Sequence, residues 1–119
     1  MSRSSITTRT RNREAVNTVN PRRKHLPPIH PGEILQDVLH EAGLTANALA
    51  MALRVPANRM GGILKGQRGI TGDTALRLAR YFGTSAQMWM NLQAKYDLAV
   101  AEDTAGKQIE REVLPRQAA

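Results

Sequence analysis

Asn58, Arg59, Lys65, Gln67 and Arg68 fall within eleven consecutive positions, and their side chains are of the kind that reads and grips a polyanion. An Asn amide can pair with both polar groups on an adenine edge, and an Arg guanidinium with a guanine edge or a phosphate. Lys65, Gln67 and Arg68, close behind, are suited to holding a sugar-phosphate backbone. Arg54, Arg77 and Arg80 offer further phosphate contacts. The competing explanation is a solvated basic face that does no more than keep the chain soluble.

Other chemistry is poorly supported. With no Cys there is no disulfide framework, thiolate zinc site or thiol nucleophile, which fits a reducing, cytoplasmic setting. His25, His30 and His40 include no i, i+4 pair, so no metal is expected. Glu33, Asp37 and Glu41 recur every four residues and read as a solvated acidic face, or one for a basic partner. Gly61, Gly62, Gly66 and Gly69 follow no strand and lack the Lys-Ser/Thr ending of a phosphate loop. Trp89, between Met88 and Met90, reads as core or dimer seam rather than a cofactor pocket. No Ser/His/Asp spacing suggests an enzyme, and no cofactor is implied.

The elements that must position these residues are helical, and the fold class is all-α. Helix one starts at Pro31, suited to a first turn, with Ile34, Leu35, Val38, Leu39 and Ala42 as its apolar stripe and Gly43 as its stop. Helix two has Thr45 as N-cap and runs to about Leu53. Helix three begins at Pro56 and ends before Gly66. Helix four has Thr71 as N-cap, Asp73 in its first turn and Gly83 as its stop, and buries either Leu76, Ala79 and Phe82 or Ala75, Leu78 and Phe82. Helix five has Ser85 as N-cap and carries Met88, Trp89, Leu92, Tyr96 and Ala99 on one side.

Helices two and three have the pattern of a helix-turn-helix. Two short helices that cross closely need a small residue at the crossing and inward apolar residues at fixed offsets. Ala50 supplies the first, and Leu49, Leu53, Val55, Met60 and Ile63 the second. Ala57, Asn58, Arg59, Gly61, Gly62 and Lys65 are then outward, placed to enter a major groove.

Charge supports this. The net charge of +7 divides into about +6 over residues 1–24, −3 over 25–42, +5 over 43–80 and −1 over 81–119. A structured +5 segment beside an acidic one is a directional field that draws phosphate. Residues 1–28 lack periodicity and read as a disordered basic arm. A transit peptide shares that Arg/Ser/Thr bias, and a natural start further downstream is a third reading. Residues 29–103 form the expected helix-turn-helix domain, and 104–119 a polar tail in which Ile109 and Val113 are spaced for a short helix. No apolar run reaches the roughly 18–20 residues of a membrane span.

The strings HPGEILQDVLHEAGLTANALAMAL from His30 and GITGDTALRLARYFGTSAQMWMNLQAKYDLAVAE from Gly69 resemble the HigA-type antitoxins of the Xre class, relatives of the phage repressors. The resemblance spans roughly residues 30–103. Its most specific parts are His30–Glu33, Ile70–Ser85 and Met88–Leu98. It implies a five-helix, phage-repressor-like fold and a homodimer that represses its own operon by binding double-stranded DNA at a palindromic operator. It also implies that the protein neutralises a HigB-type toxin, a RelE-like mRNA endonuclease. The two glycines stand where the family commonly has polar, base-reading residues. Thr45 and Asn47 match the family, whereas Ala46 replaces a usual Gln and Arg54 a usual Gly in the turn. The DNA-contacting set expected on both grounds is Thr45, Asn47, Arg54, Ala57, Asn58, Arg59, Gly62, Lys65, Gln67 and Arg68. A stand-alone Xre regulator without a toxin shares the same DNA chemistry. A toxin-binding module that has lost operator recognition through Gly61 and Gly62 is a third class.

Overall fold

Every helix start leaves four amides without an intrahelical acceptor, and among the described residues four of five starts answer with a side chain. The computed structural model describes residues 27–117, so the basic arm expected at 1–28 lies outside them except for its last two positions. The described residues form α1 (Pro31–Ala42), α2 (Ala46–Leu53), α3 (Ala57–Leu64), α4 (Gly72–Phe82) and α5 (Ala86–Glu112), with no strand among them. Thr45, Thr71 and Ser85 cap α2, α4 and α5 through their hydroxyl oxygens. Gly43 and Gly83 close α1 and α4 in the left-handed conformation.

The start of α1 uses an unexpected cap. His30 Nδ1 accepts from the Gly32 amide at 2.8 Å, and Glu33 Oε2 accepts from the His30 amide at 3.3 Å. The two bonds form a reciprocal cap with imidazole in the place usually held by a hydroxyl or carboxylate. His30 is buried, and its ring meets Tyr96 of α5 edge-on with centroids 4.8 Å apart. A Cβ added to Gly66, just past α3, would touch the same ring. One side chain thus joins the start of α1, the end of α3 and the middle of α5.

The core draws on every helix: Leu35 and Leu39, then Leu49, Ala50 and Leu53, then Met60 and Ile63, then Ala75 and Leu78, and finally Trp89, with Ile70 from the loop before α4. Ala75 and Leu78 are the buried pair of α4, whereas Leu76 is 66% exposed, which decides between the two faces expected. Ala42 is exposed and does not extend the α1 stripe into the core. Trp89 is core, its Nε1 donating to Thr84 Oγ1 at 2.9 Å, while Met88 faces outward.

Two boundaries differ from expectation. Pro56 is extended and precedes α3 without a side-chain cap, so the helix proper opens at Ala57. The break expected near residue 103 is absent, because α5 continues to Glu112. Nothing from 100 to 112 forbids helix. Gly106 is a tolerated weak point, and the first proline is Pro115. From residue 101 onward nearly all side chains are exposed, so the last turns of α5 project beyond the core.

Gly32 is required by a close approach. A Cβ there would overlap the Ile63 carbonyl oxygen at the end of α3. Gly32→Ala should therefore lower stability by about 1–3 kcal/mol, the usual range for overpacking. Urea unfolding should show a lower midpoint with an unchanged slope.

Candidate nucleic-acid interface

The surface begins with how α2 and α3 meet. Leu49, Ala50 and Leu53 of α2 and Met60 and Ile63 of α3 are all 4% exposed or less, as the inward offsets require. Between the helices, Arg54 adopts φ 61° and ψ 46°, with its amide directed at the Ala50 and Met51 carbonyls. The Val55 amide donates to Ala50 O at 3.0 Å. This is a left-handed helix end made by a non-Gly residue, costing about 1 kcal/mol. The Arg54 side chain is exposed beside the turn.

With Met60 and Ile63 inward, Ala57 and Asn58 are exposed on the first turn of α3, and Lys65, Gln67 and Arg68 beyond its end. Thr45 and Asn47 are exposed at the start of α2. Thr45 Oγ1 is already accepting from the Ala48 amide at 3.0 Å, which leaves its hydroxyl hydrogen free to donate. Among the described residues Asn47 Nδ2 reaches only Met51 Sδ, at 3.8 Å, a weak interaction.

Arg59 and Gly62 are placed differently from expectation. The guanidinium of Arg59 is not free: Nη1 lies 2.6 Å from Asp73 Oδ2 on the first turn of α4. The same oxygen accepts from Arg77 Nε at 2.9 Å, and Arg77 Nη1 donates to Leu53 O at the end of α2, also at 2.9 Å. This chain links the end of α2 and the first turns of α3 and α4. Asp73 is held below the ordinary carboxyl value of 3.8, first by the Arg77 hydrogen bond and then by that of Arg59. Gly62 is not an open outward position, since a Cβ there would stand 2.6 Å from Arg68 Cδ. The Arg68 stem lies across it, so the missing side chain of Gly62 leaves Arg68 its path. At Gly61 an added Cβ meets nothing.

Two positioning groups escaped the sequence reading. Asp73 partners Arg59 across fourteen residues, which no local pattern reveals; its i, i+4 spacing to Arg77 was the only signal. Gln93 of α5 accepts from the Ile70 amide at 2.7 Å and packs on Gly69, tying down the loop after α3. Among the described residues no three His, Asp or Glu side chains gather where a metal could sit, and no helix is long and apolar enough to cross a membrane.

Fold and surface together define a helix-turn-helix protein whose second helix is presented outward. No family model matches the chain. It is 56% identical over 81 residues to the virulence-associated protein I of Dichelobacter nodosus, covering 67% of this chain and 75% of that protein. Among solved structures it is similar to the Pseudomonas aeruginosa antitoxin HigA with higBA promoter, at 55% identity and a TM-score of 0.73, covering 76% of this chain and 99% of that one. It is likewise similar to an addiction module antidote protein of the HigA family from Coxiella burnetii, at 50% identity and a TM-score of 0.72, covering 76% and 100%. The chain belongs to the HigA family of antitoxins, a family of helix-turn-helix proteins and not of enzymes.

The two glycines of α3 should part company on substitution. Gly61→Ala should raise stability by about 0.5–1 kcal/mol through helix propensity alone. Gly62→Ala should gain less, because Arg68 must swing away. Paired urea titrations read the difference. The Asp73 contribution has its own pH signature. Because its folded-state value is depressed, the contribution is complete above the ordinary carboxyl range and is lost as pH falls through the lower, folded value. The stability gap between wild type and Asp73→Asn, measured from pH 7 down to pH 2, should therefore close on the acid side.

Proposed function

We propose that this protein is a cytoplasmic antitoxin that represses its own operon. As a homodimer it sets the two copies of α3 into successive major grooves of a palindromic double-stranded operator. The observation that carries this reading is the division of α3, with Met60 and Ile63 buried and Asn58 outward, followed by exposed Lys65, Gln67 and Arg68. Residues 29–103 act as the DNA-binding unit. Asn58 reads a base edge, with Ala57 beside it. Thr45, Asn47 and Arg54 grip the backbone from the α2 side, and Lys65, Gln67 and Arg68 from beyond α3. Arg59 joins them when it leaves Asp73, and Gly62 contributes by seating Arg68. The net +5 of residues 43–80 draws the duplex in. The similarity to an antitoxin whose structure was determined with its promoter supports this reading.

Toxin neutralisation uses a separate surface, α1 or the N-terminal arm. The partner is a RelE-like mRNA endonuclease, as the family relationship implies. The exposed Glu33, Asp37 and Glu41 of α1 suit a basic partner. Glu33 is partly committed, since it caps His30.

Titration of the protein into a duplex from its own promoter, beside an unrelated duplex of equal length, tests the DNA reading. Asn58→Ala should weaken promoter binding by about 1–3 kcal/mol and leave the unrelated duplex unchanged. Lys65→Ala should weaken both and reduce the salt slope by about 1. Unchanged promoter affinity in Asn58→Ala would show that α3 is not the reader.

A further inference from the structure

Arg59, Arg68 and Arg77 converge with Thr71, Asp73 and Thr74 on a recess of about 250 Å³ where the first turns of α3 and α4 meet. Arginine side chains around a small opening, two of them with guanidiniums fixed on one carboxylate, form a setting for a phosphate. In this protein a carboxylate of its own sits there instead. Asp73 Oδ2 takes hydrogen bonds from both Arg59 and Arg77, at 2.6 and 2.9 Å. Among the described residues Asp73 Oδ1 takes no side-chain hydrogen bond, and the side chain is 55% exposed, so the pairing is open to exchange with an incoming anion.

We propose that Asp73 is a specificity-determining residue of the DNA interface, an internal competitor that holds Arg59 and Arg77 away from any duplex that cannot otherwise engage α3. The proposal rests on the DNA-binding reading above. Phosphates on random DNA attract every free guanidinium equally, and affinity gained that way is sequence-blind. A carboxylate that neutralises the Arg59 and Arg77 guanidiniums removes part of that blind attraction. Exposed ion pairs are weak. Once Asn58 and the residues beyond α3 are docked on the right sequence, a phosphate or guanine edge beside Arg59 can take the guanidinium from Asp73. Arg59 then contributes to the operator complex and little to the nonspecific one. A structural role alone, bracing α3 against α4, would affect both complexes alike.

The test measures affinity for a promoter duplex and for an unrelated duplex of equal length, each over a range of salt, in the full chain. Asp73→Asn should raise affinity for the unrelated duplex about five- to tenfold and steepen its salt dependence by about one to two counterions. Promoter affinity should rise less than twofold, so the ratio of the two falls. Asp103→Asn, which removes the same charge from the exposed part of α5, should leave the ratio at the wild-type value. Arg59→Ala, which needs no change at Asp73, should lower promoter affinity while leaving the unrelated duplex within twofold. The proposal is overturned if Asp73→Asn keeps the wild-type ratio, if it merely matches Asp103→Asn, or if Arg59→Ala weakens both duplexes equally. It also falls if Asp73→Asn, folded by circular dichroism, weakens both. Wild-type protein that binds neither duplex removes the DNA-binding reading itself, a result distinct from all of these.

Discussion

An eight-residue helix containing two glycines cannot hold itself together in water, and α3 is such a helix. Its position is imposed from three sides. Met60 and Ile63 are buried in the core beneath it. The start of α1 presses on its last turn, so closely that Gly32 has no room for a side chain beside Ile63 O. The Asp73 carboxylate takes hold of Arg59 on its first turn. The surface that α3 shows to a duplex is therefore a property of α1, α2 and α4 as much as of its own residues.

That dependence explains which parts of the structure could be read from the sequence. Caps and stops are local chemistry, so Thr45, Thr71, Ser85, Gly43 and Gly83 marked the ends of helices correctly. The inward set Leu49, Leu53, Met60 and Ile63 followed from periodicity, and the place of Arg54 in the turn from comparison with a family that usually has Gly there. What escaped depends on contacts between distant segments. His30 is an uncommon N-cap, and its role rests on burial against Tyr96 and beside Gly66. Arg59 and Asp73 are brought together by the fold alone. Gly61 and Gly62 are adjacent and alike in sequence, yet only one lies beneath an arginine stem.

The length of α5 was hidden for a different reason. Beyond Ala99 its sequence lacks an apolar stripe, and without one there was no period to follow. The helix continues because nothing stops it before Pro115, with pairs such as Gln108 and Glu112 bonding along its exposed side. The acidic α1 and the basic α2–α4 unit, by contrast, were visible as charge long before any contact was known. They give one small domain two surfaces of opposite sign, which suits the proposed division between a duplex and a basic protein partner.

The end of α2, α3 and the first turn of α4 are proposed to form, together, the surface that meets DNA. Backbone amide shifts followed by NMR during titration with a promoter duplex would map that surface residue by residue. The largest changes should fall on Ala57–Arg68 and Thr71–Asp73, with Glu33–Glu41 of α1 and the exposed end of α5 nearly unmoved. Shifts concentrated on α1 or the end of α5, with Ala57–Arg68 unchanged, would place the DNA on another face.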